Sequence, residues 1–358
     1  MTRVVFMGTP EFAVPSLDAL LDAGYQVVGA FTQPDRPVGR GHKLAACPVK
    51  VRAQERGVPV FQFAKVRLPE GVAQLKALEP DVMVTAAFGQ ILTQEILDVP
   101  KRGVVNVHAS LLPRHRGSAP INWCILQGDR TAGVTTMLTA AGIDTGDMLL
   151  KAETEIGPLE TAGELTERLS RVGAKLLVET LDKYLKGEIA PIVQDESLST
   201  YEPMLTKEMG AIDWTRPAEE IARQVRGLNP WPCAYTDYGA GRLKVYLAQP
   251  VRREGGQPGT VVASSPKEGL IVACGEGCLE LLEIQAPNAK RMTAKAYLMG
   301  KKIDVDTRFG EAECRREVEH EPGFEERSEA PRPAESWRQA GREEGSRRKA
   351  IPDRAPAL

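Results

Sequence analysis

The chain counts 358 residues, 42% hydrophobic and 26% charged, with a formal net charge of -2. That length predicts two domains plus leftover sequence, and the near-neutral charge excludes a global attraction to nucleic acid or membrane, so a polyanionic partner would have to be held by local patches. No apolar run approaches the roughly 20 residues that span a bilayer, and Met1-Thr2-Arg3 leads straight into an apolar run without the parts of a signal peptide, which predicts a cytoplasmic protein with no membrane partner. The six cysteines are scattered along the whole length, as reduced thiols rather than a disulfide framework would be. Cys274 and Cys278 lack a second pair or a nearby histidine, so they read as small buried residues flanking a turn and no metal site is expected.

In chain order, Arg3 to Gly8 (RVVFMG) is a buried strand ending in a turn, and Glu11 to Ala23 is an amphipathic helix with leucines at 17, 20 and 21. Tyr25 to Thr32, Asp81 to Ala87 and Gly103 to Val107 are further buried strands with helical stretches between them. Strands alternating with helices predict an α/β fold with an open, mostly parallel, Rossmann-like sheet, in which ligands sit beyond the carboxyl ends of the strands. Gly8, the Ala87-Phe88-Gly89 turn and Asn106-Val107-His108 all fall at those ends. The turn GTPEFA lacks the three glycines of a dinucleotide fingerprint, so no dinucleotide is expected.

From Asp213 the pattern changes to short alternating segments (CAYTDYG, RLKVYLA, GTVVASS, GLIVACG, CLELLEIQ) separated by turn residues. Their spacing of about 8 to 12 residues predicts a smaller C-terminal β-barrel or sandwich. Residues 207–310 carry 15 Lys and Arg against 12 Asp and Glu, whereas residues 1–206 carry 21 against 24, so the second domain is the more basic. Beyond Gly310 the chain turns to Arg, Glu, Pro, Ser and Ala, which cannot bury enough apolar surface to order itself. The expected division is therefore 1–206, 207–310 and a disordered tail over 311–358.

Chemistry concentrates in GVVNVHASLLPRHRGSAPI, from Gly103 to Ile121. Asn106 and His108 are two apart on a strand, so both side chains point to one face at the end of the sheet. An amide donor beside an imidazole suits acyl transfer: Asn106 can hold a carbonyl oxygen as it becomes an oxyanion, and His108 can take a proton or polarise the same oxygen. Taken alone, the pair is as well read as turn-forming polar residues. The Pro-punctuated loop that follows raises the functional reading, because Arg114, His115 and Arg116 would be costly to order without a ligand; His115 itself reads as an exposed loop residue. Asp144 lies in the glycine-bracketed loop AGIDTGD, which is equally an Asx turn or a carboxylate that fixes the ring of His108.

Between Asp35 and Arg56 six Lys and Arg residues, Arg36, Arg40, Lys43, Lys50, Arg52 and Arg56, together with His42 oppose only Asp35 and Glu55. Read as one 22-residue loop, this segment could settle on a phosphate backbone or beside an unpaired end; otherwise it is a solvated mobile loop.

The motifs GTPEFAVPSLDAL, TQPDRPVGRGHKL, NVHASLLPRHRGSAPINW, GIDTGDML and LNPWP, in that order and spacing, resemble the methionyl-tRNA formyltransferase family over roughly residues 1–310. NxH with a distant Asp in a GxDTG loop marks the wider group of formyltransferases that use 10-formyltetrahydrofolate, while GRGxKL and NPWP mark the branch acting on tRNA. The resemblance implies an OB-like C-terminal barrel, Asn106, His108 and Asp144 as the catalytic set, and no metal. It implies folate contacts at Phe88, Gln90, Ile91 and Leu92, at Ser110, Leu111, Leu112 and Pro113, and at Gly142. It implies substrate contacts at Gly8, Arg36, Arg40 and Lys43, with initiator methionyl-tRNA as partner, the folate as co-substrate, and a monomeric enzyme. Thr139 and Ala140 depart from the pattern, standing where Met and an acidic residue are expected, as does His42 in place of a lysine.

Overall fold

A computed structural model describes residues 1–38, 43–239 and 241–310. The first part of the chain runs β1 (Arg3–Gly8), α1 (Val14–Asp22), β2 (Gln26–Thr32), β3 (Arg36–Val38), β4 (Lys43–Ala45), α2 (Pro48–Glu55), β5 (Val60–Gln62), α3 (Pro69–Ala77), β6 (Val82–Ala86) and α4 (Gln94–Leu97). It continues with β7 (Val104–His108), β8 (Arg116–Gly117), α5 (Pro120–Gln127), β9 (Thr131–Leu138), β10 (Met148–Glu155) and α6 (Ala162–Leu185).

Seven of these strands form one sheet in the order β10-β9-β7-β6-β1-β2-β5. The five from β7 to β5 are parallel, and β9 and β10 add an antiparallel edge. Helices cover both faces, so the central strands are apolar on both sides, as in β6, where every residue is buried. The two-residue period sorts β1 cleanly. Val4 and Phe6 pack with Leu17, Leu20, Leu165 and Leu169 on one face, while Val5 and Met7 pack with Phe31, Leu75 and Ile96 on the other. The helix α6 opens with a capping box, in which the Thr161 hydroxyl accepts from Glu164 N and the Glu164 carboxylate accepts from Thr161 N. Gly173 lets α6 pass close beneath the site strand, since a Cβ there would sit 2.9 Å from Val107 Cγ1.

The second part runs β11 (Tyr201–Glu202), α7 (Ala218–Gly227), β12 (Ala234–Tyr238), β13 (Gly241–Val251), β14 (Val261–Ser265), β15 (Gly269–Ala273), β16 (Cys278–Gln285), β17 (Met292–Thr293) and α8 (Ala294–Gly300). Strands β12 to β17 form an antiparallel sheet in the order β12-β13-β16-β15-β14, with β17 beside β16. Its inner face packs Leu243, Val245, Leu270, Val272 and Ile284 against Ile221 and Val225 of α7 and against Phe309. Cys274 and Cys278 are buried at the β15–β16 turn, and the five described cysteines are free. No helix among the described residues is long and apolar enough to cross a membrane.

The segment from Asp35 to Arg56 is not one loop. It holds the β3–β4 hairpin and α2, and three of its basic residues are engaged. Lys50 pairs with Asp35, Arg52 with Asp18 and Glu55, and Arg56 with Asp18 and Asp22. The carboxylates of α1, distant in sequence, neutralise charges that local counting leaves free for phosphate. The expected disordered tail, 311–358, lies outside the described residues.

Candidate active site

Asn106 and His108 stand at the carboxyl end of β7, and Asp144 meets them from the loop between β9 and β10. In β6, next to β7, the Thr85 hydroxyl donates to Asn106 Oδ1 at 2.8 Å. The amide oxygen is thereby occupied, and Asn106 Nδ2 is left as the donor for a ligand.

His108 is held with equal definition. Its Nε2 lies 2.9 Å from the carbonyl oxygen of His115, and a carbonyl only accepts, so Nε2 carries the hydrogen. The other ring nitrogen, Nδ1, faces Asp144 and lies 3.6 Å from its Oδ1, longer than a direct hydrogen bond.

Asp144 has φ +52, a left-handed conformation that a non-glycine residue adopts only when its surroundings hold it there. Three contacts do so. Gly117 N donates to Asp144 Oδ2 at 2.8 Å, and the buried Gln194 amide donates to the Asp144 carbonyl at 2.8 Å and to the Gly146 carbonyl at 2.7 Å. Gly146 itself cannot be replaced cheaply, because a Cβ there would lie 1.7 Å from the Leu138 carbonyl oxygen. Gln194 Oε1 in turn accepts from Arg116 Nε and Nη2. The Glu196 ion pair raises the Arg116 guanidinium further above its usual range, so a permanent cation stands behind Asp144.

His115 is a correction to the sequence reading. Only 3% of it is exposed, with Nδ1 2.9 Å from Glu202 Oε1 and Nε2 2.7 Å from Asp129 Oδ2. Arg114 reaches Asp129 as well, at 3.0 Å. The three basic residues of the loop thus order it through pairs within the chain rather than through a ligand.

A cavity of about 660 Å³ opens over this constellation. Asn106, His108, Asp144, Phe88, Gln90, Ile91, Leu92 and Gly142 all line it. The Gln90 side chain is committed elsewhere, to Val66 N and the Phe63 carbonyl, so it fixes the wall rather than reaching inward. Ser110, Leu111, Leu112 and Pro113 do not line this cavity. The Ser110 hydroxyl donates to the Arg114 carbonyl, Leu112 packs with Met137 and Met148, and Ser110 and Leu111 border a separate cavity of about 150 Å³. Gly8 is buried, with a Cβ there lying 2.8 Å from that of Ala13, so its small size serves packing. Arg36 is exposed on β3, 3.5 Å from Gln33 Oε1; Lys43 begins β4, and Arg40 lies outside the described residues.

Two residues of the site carried weaker signals. Thr85 is the one polar residue of VMVTA, an apolar central strand, and that anomaly marks it. Thr139 lines the cavity with its hydroxyl buried and without a hydrogen-bond partner among the described residues, which suits a ligand hydrogen bond. Gln194, 50 residues from Asp144, carried no local signal.

The chain is similar to known proteins over most of its length. Residues 2–181 match the family model described as formyl transferase, and residues 204–302 the one described as formyl transferase, C-terminal domain. A methionyl-tRNA formyltransferase of Geobacter sulfurreducens is 49% identical over 310 residues, covering 87% of this chain and 97% of that protein. One of Trichlorobacter lovleyi is 52% identical over 305 residues, covering 85% and 96%. Among solved structures, the sugar 3N-formyl transferase WlaRD, crystallised in the presence of dTDP and 5-N-formyl-THF, superposes with a TM-score of 0.60 at 17% identity, covering 81% of this chain and 99% of that one. An N-formyltransferase from Helicobacter canadensis gives a TM-score of 0.60 at 18% identity, covering 78% and 99%; at this distance the two structures speak for the fold. With its motifs, its sheet and its two matched regions in agreement, the chain belongs to the methionyl-tRNA formyltransferase family.

Proposed function

We propose that the chain transfers the formyl group of 10-formyltetrahydrofolate to the α-amine of methionine esterified to initiator tRNA, with Asn106, His108 and Asp144 as the catalytic set. The observation that carries the reading is the meeting of these three side chains on one wall of a cavity whose other walls are Phe88, Ile91, Leu92 and Gly142. A folate ring system fits such walls: apolar side chains flank the ring, and the free Thr139 hydroxyl meets its polar edge.

The neutral amine attacks the formyl carbon, and the carbonyl oxygen becomes an oxyanion held by Asn106 Nδ2. His108 Nδ1 takes the proton that the attacking nitrogen sheds, and Asp144 stabilises the resulting imidazolium. Collapse of the tetrahedral intermediate breaks the bond to the folate nitrogen, which recovers a proton by way of the same ring. No metal enters these steps. Ser110 to Pro113 act as the frame of the His115 loop, and Gly8 as packing beneath the site.

In this reading residues 1–206 carry out the chemistry, residues 207–310 hold tRNA, and Arg36, Arg40 and Lys43 reach the acceptor stem. The enzyme acts in the cytoplasm as a monomer. Formylation of methionyl-initiator tRNA compared with amino-sugar nucleotides and small amines tests it, together with Arg40→Ala. Transfer to the tRNA, weakened by Arg40→Ala, is expected; equal transfer to small amines would overturn the acceptor assignment.

A further inference from the structure

One short piece of backbone touches both His108 and Asp144. The His115 carbonyl accepts from His108 Nε2 at 2.9 Å, and Gly117 N donates to Asp144 Oδ2 at 2.8 Å. Arg116 and Gly117 form β8, whose partner in a two-stranded parallel sheet is β11. Strand β11 belongs to the segment that leaves α6 and leads to the second sheet.

That segment grips the backbone residue by residue. Thr200 Oγ1 accepts from His115 N at 2.8 Å, the Thr200 carbonyl from Arg116 N at 2.9 Å, and the Glu202 carbonyl from Ser118 N at 3.0 Å. The fit is close, since a Cβ on Gly117 would lie 2.7 Å from the Glu202 carbonyl oxygen and 3.0 Å from the Tyr201 ring. Earlier in the segment, Gln194 donates to the carbonyls of Asp144 and Gly146, and Glu196 pairs with Arg116. The attachment is polar throughout. Between residues 190 and 204 only Gln194 and Glu202 are buried, whereas Ile192, Val193, Leu198, Tyr201 and Met204 are each at least 60% exposed. A segment held by hydrogen bonds and ion pairs, with no buried apolar side chain of its own, opens at a lower free energy than the core.

We propose that residues 194–202 are a positioning strap: by holding β8 they set the alignment of His108 with Asp144, and with it the rate of formyl transfer. The proposal rests on the reading of those two side chains as catalytic. The strap fixes one backbone piece, and that piece fixes both ends of the 3.6 Å separation between Nδ1 and Oδ1. A displaced strap therefore moves the two side chains together. None of residues 194–202 lines the catalytic cavity, so Thr200 and Glu202 act through β8 as positioning residues, and the segment joining the two sheets governs the chemistry from outside it.

The test compares Thr200→Val, Thr200→Ser and Thr180→Val in the full chain. Two readouts are taken: the nitrogen–proton correlation spectrum of the His108 ring, assigned with His108→Gln, and steady-state formyl transfer to methionyl-tRNA. Val keeps the shape of Thr200 but removes the acceptor of His115 N, and Ser returns it. Thr180→Val is the control for stability, since it removes a buried hydroxyl on α6 bonded to Thr136 and to the Leu176 carbonyl. The strap predicts that Thr200→Val shifts the His108 ring signals and lowers kcat about fivefold, the effect of one hydrogen bond, with the donor KM unchanged. Thr200→Ser should restore both, and Thr180→Val should lower the urea midpoint while leaving both as in wild type. An unmoved His108 ring in Thr200→Val overturns the proposal, as does the same shift and loss of rate in Thr180→Val. Ring signals that move while kcat stays at the wild-type value keep the strap and sink instead the catalytic reading of His108 and Asp144.

Discussion

His108 Nε2 donates to the carbonyl oxygen of His115 across 2.9 Å, and the His115 ring is itself clamped between Asp129 and Glu202. The clamp positions the backbone, the backbone fixes the tautomer of His108, and in the proposed mechanism the tautomer leaves Nδ1 for proton transfer. In that mechanism His115 acts on the chemistry without lining the cavity.

Removing the His115 imidazole takes one hydrogen bond from each of two carboxylates: Asp129 keeps Arg114, and Glu202, 4% exposed, keeps Gln127 and Thr200. His115→Ala should cost about 1 to 3 kcal/mol in urea unfolding, as losing hydrogen bonds to charged groups does. In variant that remains folded, kcat should fall while the donor KM holds. His115→Gln, which can still donate to one carboxylate, should lose less in both. An Ala variant as stable as wild type would remove the clamp from the account.

Thr85→Val keeps the shape of the side chain but releases Asn106 Oδ1. The loss of one hydrogen bond, about 1 kcal/mol, predicts a kcat lower by roughly fivefold with an unchanged melting temperature, and Thr85→Ser should restore it. Equal rates for Val and wild type would mean that Asn106 holds its orientation unaided.

How much of this was legible in the sequence follows range of interaction. The alternation of strands and helices, the two-residue spacing of Asn106 and His108, and the glycine bracket around Asp144 are local patterns, and each survives in the fold. His115 was misread as exposed because its partner Glu202 lies 87 residues away, and no local pattern announces that pair. Arg52 and Arg56 looked free for the same reason, since Asp18 reaches them only after α1 and α2 pack together. The antiparallel edge of β9 and β10 depends on pairing register, which composition does not encode.

Gln194 holds the Asp144 loop through two carbonyls while accepting from Arg116. Gln194→Leu leaves those buried groups unpaired, at about 1 to 3 kcal/mol of stability. Its kinetic signature should be a lower kcat together with a shifted pH profile, because Asp144 no longer faces His108 in one geometry. A variant with reduced stability but the wild-type kcat and pH profile would make Gln194 a purely structural residue.

Burial pushes the Cys124 thiol up to about 12 and the Cys274 thiol up to about 12. The native state keeps these protons where an unfolded chain releases them near pH 8.5, so it binds more protons and its stability falls as pH rises from about 8.5. Urea midpoints should be flat with respect to these groups below that pH and decline above it. The decline should be shallower in Cys124→Ala. Alkylation of the native protein should reach half-exposed Cys47 before Cys124 or Cys274; prompt labelling of Cys124 would contradict its burial.

The most direct test of the whole account is single-turnover transfer of labelled formyl from 10-formyltetrahydrofolate to methionyl-initiator tRNA by the wild type and by Asn106→Ala. The account predicts a fall of about 100- to 1000-fold in the transfer rate, the usual effect of removing one oxyanion donor, with the donor affinity and the fold retained. A variant within a few-fold of wild type would contradict it.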